Sequence, residues 1–223
     1  MLETARAAYA ASHPGTELEI TTDSSAALEI QIEQGAPADV FLSADVANPQ
    51  KLIDRGFASG APVVFTRNEL SIVVPADNPA GIDSPADLAA PGLKIITAGD
   101  EVPITKYAKQ LVANLAALPG YPAGFEAAYA ANTVSREDNV GAVIGKIELG
   151  EGDAGIVYVT DAAASTGVRT IAVPADSKVS ASYAGVVVRA STRLAAAEAF
   201  LAWLAGPDGE AILAQYGFLA PAT

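Results

Sequence analysis

The sequence predicts an α/β fold with mostly parallel sheets divided between two lobes, and three observations carry that prediction. Short Val/Ile-rich runs alternate along the chain with Ala-rich segments of helical periodicity, the pattern of strands joined by crossover helices. With 223 residues, the chain is long for one ordinary α/β domain and comfortable for two small ones. Hydrophobic residues make up 51% and charged residues 17%, enough apolar material for buried strands covered on both faces.

The elements follow in order. Leu2 to Ser12 has Leu2, Ala5 and Tyr9 at helical spacing and is stopped by Pro14-Gly15. Leu18-Glu19-Ile20 reads as a short strand, and the hydroxyl-rich Thr21 to Ser25 supplies caps for a helix over Ala26 to Gln34, closed by Gly35. Ala38 to Leu42 reads as a buried strand, with a Ser43-Ala44-Asp45 turn into a helix ending near Gly56. Pro62 to Phe65 and Leu70 to Val74 read as two apolar runs separated by a polar turn. Ala76 to Ala90, with Pro79, Gly81 and Pro85, reads as a loop with one short helix near a lobe boundary. Leu93 to Ile96 is a strand, Ile104 to Ala117 a helix, and Leu118 to Gly124 a Pro/Gly loop. Ser135 to Gly150 reads as one helix opened by Ser135, Glu137 and Asp138, acidic residues that a helix start favours. Ala154 to Val157 is a strand with Tyr158 at its carboxyl end, followed by a short helix over Asp161 to Ala164. Thr170 to Val173 and Gly185 to Val188 are strands, and Ser191 to Tyr216 is helical with a break at Gly206-Pro207.

Composition narrows the function. A formal charge of −13 disfavours nucleic acid and anionic membrane as partners. It does not disfavour a small anion, because buried anion sites are built from neutral N–H and O–H donors. The absence of cysteine removes disulfides, thiolate metal sites and a cysteine nucleophile. The single histidine, His13, lies in a Ser-His-Pro-Gly loop and is expected to be exposed. There is no run of about 20 apolar residues of the kind that spans a bilayer. No nucleophile elbow, Gly-x-Gly-x-x-Gly, Walker loop or metal-type histidine cluster is present, so an enzyme is not expected. No cofactor and no bare metal cation is expected either.

Ligands of open α/β sheets sit beyond the carboxyl ends of strands, where helices begin. Three such junctions here are rich in small or hydroxyl residues: Asp23-Ser24-Ser25, Asp100 to Thr105, and Ser135 to Val140. Each offers unpaired backbone N–H groups and about half a positive charge. Ordinary helix caps have the same composition, so the junctions alone leave both readings open.

Four blocks shift that balance. Ser24 to Asp45, Gly99-Asp100-Glu101-Val102-Pro103 with Tyr107-Ala108-Lys109, Glu148 to Tyr158 with Asp161-Ala162, and Gly206-Pro207 with Tyr216-Gly217-Phe218 occur in order and span nearly the whole chain. Together they closely resemble the molybdate-binding proteins of bacterial ABC importers. The resemblance implies a type II periplasmic-binding-protein fold, two α/β lobes joined by two crossover strands. Lobe I is expected over 1–72 plus 184–223, and lobe II over 73–183. It implies that molybdate or tungstate is held in the inter-lobe cleft and delivered to ABC permease subunits by an exported monomer, periplasmic or anchored at the cell surface. Matched residue by residue, the family's binding serine falls on Ser25, its two backbone donors on Ile104 and Val140, and its tyrosine hydroxyl on Tyr158.

Two departures stand out. The family usually has Ala-Gly after Val-Pro, whereas this chain has Ile104-Thr105, which keeps the backbone N–H but adds bulk. Family members also open with a strand and an Ala-Ala-Ser-Leu junction that supplies another binding serine, while this sequence starts at the helix that follows. A start placed too late and a shortened form both account for this, and the intactness of every later block favours truncation. Two alternative functions belong to the same fold: a receptor for another tetrahedral oxyanion such as sulfate, and the anion-sensing effector domain of a regulator. The second needs a basic DNA-reading helix-turn-helix, which neither end supplies.

Overall fold

A computed structural model describes residues 1–222. The chain separates into two compact units. Unit 1 is Met1–Asn68 with the chain from Ser182 onward, and unit 2 is Glu69–Ala181. Both boundaries fall inside strands: β2 (Ala58–Pro75) is cut between Asn68 and Glu69, and β7 (Ser180–Val188) between Ala181 and Ser182. Two strands therefore contribute residues to both units.

Unit 1 contains α1 (Leu2–Ser12), α2 (Ser25–Glu33), β1 (Val40–Ser43), α3 (Ala47–Asp54), the first part of β2, most of β7, α8 (Leu194–Leu204) and α9 (Pro207–Gln215). β1 pairs antiparallel with β7, Val40 opposite Val187 and Ser43 opposite Ala184. On one side of the pair Phe41, Leu52, Val186 and Val188 close a core with Ile32. On the other, Leu201 and Val187 pack with Ala197. Gly185 lets α8 approach, since a Cβ there would meet Leu201 Cδ1 and Leu42 Cδ2, each at 2.7 Å. The expected strand at Leu18–Ile20 does not join a ladder. Its alternating pattern is right for a half-buried strand, but a strand exists only where a neighbour accepts its backbone bonds.

Unit 2 holds the remainder of β2 with β3 (Ile95–Ala98), α4 (Pro103–Ala116), α5 (Phe125–Asn132), β4 (Thr133–Glu137), α6 (Val140–Glu148), β5 (Ala154–Tyr158), α7 (Val159–Ala164) and β6 (Val168–Ile171). β3 is parallel to β4 and to β5, while β2 runs antiparallel to β5 and β6. The sheets are therefore mixed, with the parallel part concentrated in unit 2. Two expectations are corrected. The apolar runs 62–65 and 70–74 are one continuous strand, because Asn68 between them is fully buried within it rather than turned to solvent. Residues 135–150 are not one helix: Ser135 and Glu137 lie in β4, and the helix begins at Val140 after Asn139. No helix among the described residues is long and apolar enough to cross a membrane.

Candidate functional site at the carboxyl ends of parallel strands

In unit 2 the register of the parallel strands determines which junctions share an edge. Ala98 lies opposite Glu137, and Ile95 opposite Ala154, so β3, β4 and β5 end together. The segments that leave these ends lead to Ile104, to Val140, and begin at Tyr158. Three of the four sequence-predicted residues therefore belong to one edge of one sheet. Close packing below that edge depends on Gly155, where a Cβ would stand 3.0 Å from Val143 Cγ1 and 3.1 Å from Ile96 O.

The start of α4 leaves a backbone donor over. Pro103, the first residue of α4, has no N–H, and Thr105 N–H donates to Val102 O at 3.0 Å. That leaves the Ile104 N–H, for which the described residues supply no acceptor. The Ile104 side chain is buried, and the Thr105 hydroxyl donates into the loop, with Gly99 O at 2.7 Å and Ala98 O at 3.1 Å. The added bulk of Ile104-Thr105 is thus taken up inside unit 2. The loop is also joined to the neighbouring junction, since Gly99 N–H donates to Glu137 O at 2.8 Å.

The β4–α6 junction is organised by Asn139, which the sequence reading missed. Its side chain accepts from Ala142 N–H at 2.9 Å, a regular N-cap, leaving the N–H groups of Val140 and Gly141 unspent. The available signal was an Asn directly before an apolar helical run; Ser135, Glu137 and Asp138 masked it by looking like an earlier cap. Ser135 and Glu137 serve another purpose. Glu137 forms an ion pair with Lys146 at 2.8 Å and accepts a short hydrogen bond from the Ser135 hydroxyl, so β4 is fastened to the last turns of α6. Lys146, and after it Ser135, hold the Glu137 carboxyl below its ordinary pKa. Tyr158 is the last residue of β5, directly before α7, and is buried. Three residues on, Asp161 has its pKa pushed up to about 6 by burial.

In unit 1 the corresponding junction uses a side chain. Ser24 caps α2, accepting from Ala27 N–H at 3.3 Å, while Asp23 accepts from Ser24 N–H at 2.7 Å. Ser25 is buried, and its hydroxyl oxygen accepts Ala44 N–H at 3.0 Å, so its proton stays available to a further acceptor. The Ser43-Ala44-Asp45 turn that supplies this N–H is itself held by Ser43 Oγ donating to Asp45 at 2.8 Å and Asn48 N–H donating to the same carboxylate at 3.0 Å. Among the described residues there is no cluster of three or more His, Cys, Asp or Glu arranged to hold a metal cation.

Uncharged donors left over at strand ends are equipment that a receptor for a small anion can use. Comparison with known proteins gives the same class. Residues 1–219 match the family described as bacterial extracellular solute-binding protein, and the chain belongs to that family of binding proteins, which are not enzymes. It is 34% identical over 214 residues to the molybdate-binding protein ModA of Mycobacterium tuberculosis H37Rv, covering 96% of this chain and 77% of that one. The Escherichia coli K12 molybdate-binding protein ModA is 33% identical, with 92% and 79% covered. Among solved structures, the Azotobacter vinelandii periplasmic molybdate-binding protein superposes with a TM-score of 0.80 at 26% identity, covering 99% of this chain and 94% of its own. The sulfate-binding protein SubI of M. tuberculosis shares the fold, with a TM-score of 0.85 at 22% identity over 97% of this chain and 81% of its own.

Proposed function

We propose that this protein captures molybdate or tungstate through neutral hydrogen-bond donors and delivers it, as an exported monomer, to the permease of an ABC importer. The observation that carries this reading is the common ending of β3, β4 and β5, which sets the unspent Ile104 and Val140 N–H groups and Tyr158 on one edge. The names of the relatives at 33% and 34% identity supply the oxyanion. Ser25, in unit 1, offers a further uncharged donor of the same kind, its hydroxyl proton left available by the Ala44 N–H that the oxygen accepts.

The magnitudes suffice. Hydrogen bonds to a charged partner contribute roughly 1.5–3 kcal/mol each. Four of them, less the cost of ordering, approach the roughly −8 kcal/mol of micromolar affinity. No bond in the anion is broken, and the protein's net negative charge matters little to a guest held by oriented dipoles.

Isothermal titration of the protein with molybdate, tungstate, sulfate and phosphate tests the reading. Saturable one-to-one binding of molybdate and tungstate, at least about tenfold tighter than sulfate or phosphate, is the expected result. Sulfate bound more tightly than molybdate, or no heat with any of the four, would end the proposal.

A further inference from the structure

Resting on that reading, we infer that Thr105 is a positioning residue whose hydroxyl holds the β3–α4 loop so that the Ile104 N–H is aimed before any anion arrives. Little else fixes that loop. Pro103 removes one backbone donor, and the Ile104 N–H finds no acceptor among the described residues. Between Ala98 and Thr105 the internal ties are Val102 N–H to Gly99 O at 3.1 Å, Thr105 N–H to Val102 O at 3.0 Å, and the Thr105 hydroxyl to Gly99 O and Ala98 O. The remaining side-chain tie, Lys109 to Asp100 at 2.7 Å, joins two exposed groups and is screened by solvent.

Thr105 is different in kind. It is buried, it lies in the first turn of α4 directly after Ile104, and its hydroxyl reaches back six residues to Gly99. Gly99 is the residue whose own N–H binds Glu137 O. The Thr105 hydroxyl therefore links the α4 start, through one residue, to the β4–α6 junction that carries Val140. Two backbone donors on separate helices are held in one frame by a side chain whose hydroxyl is spent within the loop. Preorganisation of this sort raises affinity by removing the ordering cost from the binding step.

Thr105→Val keeps the branched shape and deletes the hydroxyl, and Thr105→Ser keeps the hydroxyl and deletes the methyl. Molybdate titration and amide hydrogen exchange by NMR are measured on both and on the wild type, with far-UV circular dichroism to establish folding. Thr105→Val is expected to weaken molybdate binding about five- to tenfold, while Thr105→Ser stays within about twofold of wild type. Exchange of the Gly99 to Ile104 amides should accelerate in the valine variant alone, without change in the amides of α2 or β1. Wild-type affinity in Thr105→Val overturns the inference, as does equal weakening in both variants, which marks lost packing instead. If Thr105→Val does not fold, Thr105→Ser decides through its loop exchange: protection as in wild type supports the clasp, and its loss overturns it. A wild-type protein that binds none of the oxyanions defeats the functional reading and this inference together, a result distinct from a selective failure of the variants.

Discussion

The start of α2 in unit 1 and the starts of α4 and α6 in unit 2 present donors by different means. At α2 the donor is a side chain, the Ser25 hydroxyl, oriented by the Ala44 N–H that it accepts. At α4 and α6 the donors are backbone N–H groups left over after Pro103 and Asn139 have determined which of the first-turn amides are spent. A side-chain donor is lost in one substitution. A backbone donor survives almost any substitution, so Ile104 and Val140 are constrained in position far more than in identity. The departure from Ala-Gly to Ile104-Thr105 illustrates this, since both new side chains are buried within unit 2.

Deletion of a backbone donor is the most severe test of this difference. Val140 is the first residue of α6, where proline is tolerated, and Asn139 before it is already extended at φ −156° and ψ 169°, as a residue preceding proline should be. Val140→Pro should leave the helix in place and weaken molybdate binding by roughly 1.5–3 kcal/mol, about ten- to a hundredfold. Val140→Ala, which keeps the N–H, should bind within about threefold of wild type. Titration of both variants checks the point, and equal affinities would remove Val140 N–H from the site. Side-chain deletions come next. Ser25→Ala and Tyr158→Phe should each cost about 1–3 kcal/mol of binding. Ser25→Ala additionally leaves Ala44 N–H without its acceptor, so a lower urea midpoint should accompany its binding defect.

The same contrast explains how far the sequence was legible. Ser25 and Tyr158 carry their chemistry in their side chains and stand next to a helix start and a strand end that periodicity reveals. Ile104 and Val140 are apolar residues on helices, and no local pattern distinguishes them from core; only the resemblance of whole blocks pointed to them. Asn139 stayed hidden because Ser135, Glu137 and Asp138 imitate a helix start one turn earlier, whereas pairing with β3 draws Thr133–Glu137 into a strand. The polar stretch between residues 65 and 70 read as a turn for a related reason: polarity suggests exposure, but the burial of Asn68 inside an 18-residue strand is decided by what lies beside it. Leu18–Ile20 errs in the opposite sense, a strand pattern with no ladder. Local periodicity identifies elements, and pairing partners decide which of them persist.

A buried and a half-buried acid extend the contrast between the units. Glu29 in unit 1 has Arg55 at 3.5 Å, while Asp161 in unit 2 has no ion pair among the described residues. Burial raises the Asp161 pKa from 3.8 to about 6, so the folded state binds a proton more tightly than the unfolded chain between those values. Stability from this group is therefore greatest below about pH 4, falls as pH rises towards 6, and is level above. Asp161→Asn should raise unfolding free energy at pH 7 by about 1–2 kcal/mol, allowing for partial solvent access, and the gain should shrink towards pH 4. Urea midpoints at pH 4, 5, 6 and 7 give the profile. A gain that is constant with pH would show that the carboxyl is not desolvated.

The smallest effect concerns a polar atom that neither the donor set nor an ion pair uses. The Tyr129 hydroxyl on α5 is buried without a hydrogen-bond partner among the described residues, and burial pushes its pKa above the ordinary value. It borders a cavity of about 240 Å³ whose walls include Ala98, Ile104 and Val112. A phenol in that position loses its hydration and gains no protein bond, which costs about 1 kcal/mol unless water enters with it. The cavity is large enough for water, so the substitution Tyr129→Phe separates two cases. If the cavity is dry, Tyr129→Phe should stabilise unit 2 by up to about 1 kcal/mol in urea unfolding while leaving molybdate affinity unchanged. A loss of stability of similar size would show instead that ordered water satisfies the hydroxyl. A change in affinity would mean that the face of α4 turned towards the cavity is coupled to the Ile104 donor on its first turn.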